Sequence, residues 1–402
     1  MTDTKIDRFT GSFTQQEPIP EDGIAAALDV LRHGRLHRYN LAEGEVSPTS
    51  HLEQEFAAYT GARYCLAVAS GGYAMTTALR ALGVGPGQRV LSNAFTLAPV
   101  PGAIAAVGAE PVFVGVTEAL TIDLEDLEAK ADQAEVLLLS HMRGHICDMD
   151  RLMKICQTAG VTVIEDCAHT MGGAWNGTPS GRHGAVGCYS TQTYKHMNSG
   201  EGGFLVTDDP DIAARAILLS GSYMLYGRHG AAPGPEVFAR HKYDMPNVSG
   251  RMDNLRAAIL RPQLQALDAQ VARWEVRYQT LERGLAGTAG LTLIPRPAGE
   301  TYVGSSFQIL LLDWSETAIR DVLSRCAARG VELKWFGAPD PAAFTSTYRH
   351  WAYAPSEPME KTDRILKGLL DMRVPLTFSE ADCALIARII RAEVSTIFQS
   401  MG

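Results

Sequence analysis

None of the 402 residues fall in an unbroken apolar run of the roughly 18 residues that a bilayer-spanning helix needs, so insertion as a helix is not expected. The seven cysteines are odd in number and include no Cys-x-x-Cys pair, which argues against a disulfide framework and against a zinc ribbon. An excess of positive charge is also missing. The formal net charge of −9 argues against nucleic acid or an anionic membrane surface as a bulk partner. Residues 1–17 are polar, carry acidic side chains and have no apolar centre, so they do not read as a signal peptide. No internal repeat or low-complexity tract is present. These absences leave a soluble, cytoplasmic globular protein as the expectation.

What is present is an alternation of short apolar runs and helical patterns, in a chain long enough for two domains. Residues 136–139 read as a strand. Residues 148–159 read as a helix, with Met149, Leu152, Met153 and Cys156 on one face and Gly160 as its C′ residue. A second strand starts at Val161, which makes a β-α-β unit with an expected parallel, right-handed crossover. Residues 112–116 and 204–206 read as further strands, and a long helix is predicted from Asn254 to about Leu281. Strand, helix and strand follow at 307–312, 316–328 and 331–335, a smaller domain beginning near residue 280.

Three local features point to chemistry. The run 161–164 is β-branched throughout, as in a strand buried on both faces, and it places Asp166 at its carboxyl end, where open α/β sheets bind ligands. Asp166 reads equally as a carboxylate facing a ligand or as the cap of the following turn. Twenty-nine residues on, Lys195 sits in the polar, glycine-rich stretch Tyr194-Lys195-His196-Met197-Asn198-Ser199-Gly200-Glu201-Gly202-Gly203. A lysine can form a Schiff base only if desolvation or nearby positive charge lowers its amine from the aqueous pKa of about 10.4. Upstream, the strand-like run 65–69 leads through Ser70-Gly71-Gly72 into a helical segment at 73–82. That arrangement offers free N–H groups and a helix dipole to an anion, although it matches neither a P-loop nor a dinucleotide-binding fingerprint. The segment 141–148 holds His141, His145, Cys147 and Asp148, but Gly144 between the histidines speaks for a loop at the sheet edge rather than a helical metal site, and no metal is expected.

Ser70-Gly71-Gly72-Tyr73-Ala74, Ile164-Glu165-Asp166-Cys167-Ala168-His169 and Ser190-Thr191-Gln192-Thr193-Tyr194-Lys195 with Ser199-Gly200-Glu201-Gly202-Gly203 resemble the DegT/StrS family of sugar aminotransferases. The resemblance runs from about Leu36 to the motif Asp371-Met372-Arg373-Val374-Pro375-Leu376. It implies the aspartate aminotransferase fold: an α/β large domain with a mostly parallel sheet between helices, and a smaller C-terminal α+β domain. The division expected is an N-terminal arm at 1–30, a large domain at 31–280 and a small domain at 281–402. It implies pyridoxal 5′-phosphate as cofactor, bound covalently by Lys195, with Asp166 at the ring nitrogen and Ser190 joining Gly71 and Gly72 at the phosphate. His169 stands where the family usually has Gln, and its titration is expected to add pH dependence. Leu97 follows Thr96 where an aromatic ring often stacks on the cofactor, with Phe95 and Tyr73 as alternatives. Gly71-Gly72 replaces a common Gly-Thr. Asn247, or Ser249, is implied to reach the phosphate of a neighbouring subunit in a homodimer.

The implied reaction moves an amino group from L-glutamate to a keto sugar, nucleotide-linked or free, or to a keto cyclitol. Three alternatives stay open: a dehydratase branch with His in place of the lysine, another reaction on the same cofactor such as decarboxylation or aldol cleavage, and a non-catalytic sensor.

Overall fold

The strand Val136–Ser140 is buried along its whole length, and its side chains divide by parity: Val136 and Leu138 enter one core, Leu137 and Leu139 another. Only a strand covered by helices on both faces needs apolar residues at every position. The computed structural model, which describes residues 7–401, places this strand in a seven-stranded sheet. The order is Tyr64–Val68, Gly203–Thr207, Val186–Ser190, Thr162–Asp166, Val136–Ser140, Arg89–Asn93, Glu110–Val114. Gly203–Thr207 alone runs against its neighbours, so the other six strands end on one edge.

Helices Gly71–Ala81, Pro99–Ala106 and Pro210–Leu219 cover one face of the sheet, and Leu124–Lys130 and Met149–Ala159 pack on the other. Asp148 caps the last of these by accepting from the N–H of Arg151, and left-handed Gly160 closes it. Both ends agree with the sequence reading, as does the parallel pairing of the strands on either side.

The long helix Asn254–Leu285 runs 32 residues through Pro262. Its first part packs with Pro48–Thr60 against the large sheet, and its last part, through Tyr278, Leu281 and Leu285, enters a second core. That core belongs to a four-stranded antiparallel sheet ordered Thr292–Leu293, Ser306–Leu310, Leu369–Arg373, Lys334–Trp335, backed by Glu316–Ala328 and Glu380–Met401. Phe9 and Phe13 are part of it, packed edge-on to Phe378. The N-terminal helix Glu21–His33 lies on the long helix instead. The boundaries expected at 30/31 and 280/281 therefore both fall inside helices. Val331 is not in a strand as expected: its N–H closes the preceding helix on Cys326 O after left-handed Gly330, and pairing starts only at Lys334. Among the described residues, no helix is long and apolar enough to cross a membrane.

Candidate active site

Asp166 and Ser140 are the last residues of adjacent parallel strands and stand in register, so their side chains emerge together at the carboxyl edge. Ser140 Oγ donates to Asp166 Oδ2 at 3.0 Å, and the Ala168 N–H donates to Oδ1 at 3.1 Å. One oxygen thus caps the turn, and the other lies beside Ser140 at the strand ends. Burial pushes its carboxyl up, while the nearby Lys195 charge pulls it down.

Glu165, one residue earlier, faces the other way. Its carboxylate accepts from the N–H groups of Gly181, His183 and Gly184, and lies 3.0 Å from His141 Nε2. His141, Glu165 and Cys167 are the one cluster among the described residues with metal-ligand spacing, and four hydrogen bonds already occupy its carboxylate. The other possible ligands of 141–148 disperse: His145 bonds Gln308 at 2.8 Å, and Asp148 is the helix cap.

Lys195 lies in the loop between Val186–Ser190 and Gly203–Thr207. Backbone bonds from Lys195 N to Gln192 O and from Thr193 N to Gly200 O fold that loop tightly. Gly202 has φ 155°, and a side chain there would collide with Thr191 Oγ1. The result is a half-buried lysine whose Nζ lies 2.9 Å from His169 Nε2. Desolvation and then the guanidiniums of Arg143 and Arg373 bring the amine down to about 7, against the pull of Asp166. Burial, then the Lys195 charge and these same guanidiniums, holds His169 well below its ordinary value. The expectation that His169 adds a pH dependence is therefore corrected: the imidazole stays neutral, and the group that titrates near neutrality is Lys195.

The two arginines come from distant parts of the chain. Arg143 has φ 57°, which turns its buried guanidinium to Asp371, where it donates at 2.8 Å across 228 residues of sequence. Arg373, the last residue of its strand, has its guanidinium 3.6 Å from the centre of the Tyr194 ring and no carboxylate partner among the described residues. Both line a cavity with Lys195 and His169. Nothing local in the sequence marks Arg143 as a site residue; Arg373 stood in a recognised motif without a role.

At the phosphate cup, Ser70 Oγ accepts from the Tyr73 N–H, which leaves the amides of Gly71 and Gly72 as the first two of the helix, without partners in the preceding turn. A Cβ on Gly71 would lie 2.9 Å from Ser190 Cβ, and one on Gly203 would lie 2.7 Å from the Gly71 nitrogen. Bare backbone is needed for these segments to meet, and the cradle that results suits a phosphate. Leu97 is half-buried at the turn before Pro99–Ala106. The alternatives to it are occupied: Phe95 is buried edge-on to Phe336, and the Tyr73 ring lies against Gly250 with its hydroxyl donating to Leu219 O. Asn247 is not brought into the Lys195 cavity of its own chain. It sits on an exposed loop, where its Oδ1 accepts from the N–H and hydroxyl of Ser249. A half-buried amine lowered to about 7, a strand-end carboxylate and an N–H cup together fit pyridoxal 5′-phosphate.

Comparison with known proteins agrees. The L-glutamine:scyllo-inosose aminotransferase of Streptomyces griseus is 33% identical over 260 residues, which span 64% of this chain and 61% of that relative. The 3-amino-5-hydroxybenzoate synthase of Amycolatopsis mediterranei is 32% identical over 321 residues, 78% of this chain and 79% of the relative. A crystal structure of 3-amino-5-hydroxybenzoic acid synthase superposes with a TM-score of 0.81 at 26% identity, covering 97% of this chain and 100% of the other. The fold is that of the pyridoxal-phosphate aminotransferases, as expected, and the cofactor is pyridoxal 5′-phosphate. With residues 20–391 matching its pattern, the chain belongs to the DegT/DnrJ/EryC1/StrS aminotransferase family.

Proposed function

We propose that this enzyme transfers the amino group of glutamine or glutamate to the ketone of a polyhydroxylated acceptor, a keto cyclitol or keto sugar, in a ping-pong cycle. The observation that carries the reading is the Lys195 amine, brought to about 7 while held 2.9 Å from His169. A neutral amine is the nucleophile that such a cofactor requires. When bound, pyridoxal phosphate supplies an electrophilic carbonyl and a ring that takes up electrons from the substrate carbon.

Each remaining role falls to a residue of this chain. Lys195 Nζ, once released by the donor, takes the donor's α-proton and later returns a proton, acting as base and then acid. Neutral His169 holds Nζ in place. Asp166, supported by Ser140, would hold the ring nitrogen protonated. Gly71, Gly72 and Ser190 would hold the phosphate, and Leu97 would face the ring. Arg373, free of an acidic partner among the described residues, takes the donor carboxylate.

The same proposal makes the protein a cytoplasmic homodimer in which Asn247 reaches the partner's phosphate site. Exposed Tyr223, Met224, Tyr243 and Val248 support it, since the first three are more than half exposed and large apolar side chains of this kind suit a covered face. Seven unpaired, buried cysteines suit a reducing compartment. The L-glutamine in the name of the S. griseus relative supports that donor alongside the glutamate expected from the sequence.

The test is the absorbance of the cofactor-loaded protein before and after addition of L-glutamine or L-glutamate. Conversion from the lysine-bound to the pyridoxamine form is expected. A spectrum that ignores both amino acids would redirect the assignment to another reaction of this cofactor.

A further inference from the structure

The cavity beside Lys195 is closed on one side by a segment that took no part in the sequence reading of the site. Residues 16–20, Gln-Glu-Pro-Ile-Pro, line it directly. Their course is fixed at three points. On the N-terminal side, Phe9 and Phe13 are buried in the small-domain core against Phe378, and the Phe9 N–H donates to Arg329 O at 2.8 Å. On the C-terminal side, the helix Glu21–His33 packs on the long helix so closely that a Cβ on Gly23 would lie 3.4 Å from Ile259 O. Between them, Glu17 accepts two hydrogen bonds from Arg273, one of them at 2.9 Å, and Pro18 and Pro20 stiffen the backbone on either side of Ile19. The segment is a strap tied to the small-domain core at one end and to the long helix at two places.

The space beneath the strap is small, about 150 Å³, against the ~300 Å³ or more usual for a drug-sized ligand. Its chemistry suits a compact guest. Arg143 is already neutralised by Asp371, which leaves Arg373 to face one carboxylate. The strap itself brings Glu17, whose carboxylate is paired with Arg273, so that neither group offers a free charge to a diphosphate. A nucleobase would find no free stacking platform in the lining: Trp274 is buried, with its indole N–H on Val374 O and its ring against His196, and Arg373 covers Tyr194.

We propose that the 16–20 strap makes the acceptor site selective for a compact, unlinked polyhydroxy ketone and excludes acceptors carrying a nucleoside diphosphate. The inference rests on the proposed aminotransfer reaction and narrows its acceptor class. Two measurements on the cofactor-loaded, full-length protein separate the claims. In the first, the pyridoxamine-loaded enzyme is mixed with scyllo-inosose and, separately, with a dTDP-linked 4-keto-hexose, and recovery of the lysine-bound absorbance is followed. Recovery with the free cyclitol and not with the linked sugar supports the proposal; faster recovery with the linked sugar overturns it.

In the second, dTDP-glucose is titrated calorimetrically into the wild type and into a Glu17→Ala, Pro18→Gly variant with a loosened strap. No saturable binding is expected in the wild type, and a gain of at least about tenfold in affinity is expected in the variant. Saturable wild-type binding with a Kd below about 1 mM overturns the exclusion. A variant that also refuses the nucleotide overturns the strap as its cause. If neither ketone reacts while dTDP-glucose still discriminates the variant from the wild type, the acceptor assignment fails and the exclusion stands.

Discussion

At Lys195, burial and two guanidiniums act on the amine in the same direction, and only Asp166 opposes them. Capture of pyridoxal phosphate by the cofactor-free protein is therefore expected to follow the neutral amine, with a half-maximal rate near pH 7. Stopped-flow absorbance across pH 5–9 checks this, and a midpoint above about 9, near the free-lysine value, would contradict it. The sign of the linked stability follows. The folded amine loses its proton near 7 and the unfolded one near 10.4, so between these values the unfolded chain binds more protons, and Lys195 makes the cofactor-free protein more stable as pH rises through that window.

Removing one of the flanking charges should move the capture midpoint. Arg373→Gln is expected to shift it upward and to raise the KM for the amino donor, whereas a purely structural Arg373 would leave the midpoint in place. Lys195→Ala is expected to abolish both the lysine-bound absorbance and turnover, a rate loss of at least about 10³-fold; activity within tenfold of wild type would remove the central assignment.

Elements of secondary structure place these groups, and their sequence signals were uneven. The strand ending at Asp166 and the helix between Asp148 and Gly160 were legible because burial on both faces, an N-cap and a left-handed glycine each leave a local mark. The turns that carry Lys195, Gly71 and Gly72 were legible for the same reason, as glycine-rich segments next to apolar strands. The role of Arg143 was not, because it depends on a left-handed residue within what reads as a metal-like His and Cys segment, and on a partner 228 positions away. His169 was found by position, but its neutrality follows from burial among cations that no local pattern displays. The cup itself offers a test. Gly71→Ala would press a methyl on Ser190 and crowd the amide cradle, with an expected loss of about 1–3 kcal/mol in stability and weaker cofactor affinity, measured by thermal melts and equilibrium dialysis. Unchanged affinity would take the phosphate away from this loop.

Over the whole molecule, the long helix joins the two cores, and the N-terminal segment returns from the small-domain core across the cavity to that helix. The alternating pattern announced the two layers and the smaller second domain. It could not announce the strap, because residues 9–20 have no periodicity and owe their course to contacts with positions beyond 250. Assembly belongs at this scale too. If Asn247 completes the partner's site, mixing Lys195→Ala with Asn247→Asp chains should restore activity above either variant alone, because one site of each mixed dimer is intact; no restoration would show the sites to be independent.

The most direct test of the account is chemical. Reducing the pyridoxal-phosphate-loaded protein with borohydride and sequencing its peptides by mass spectrometry should find the cofactor fixed to Lys195. Label on another lysine, or none, would contradict the assignment on which the site, its pH dependence and the proposed reaction all rest.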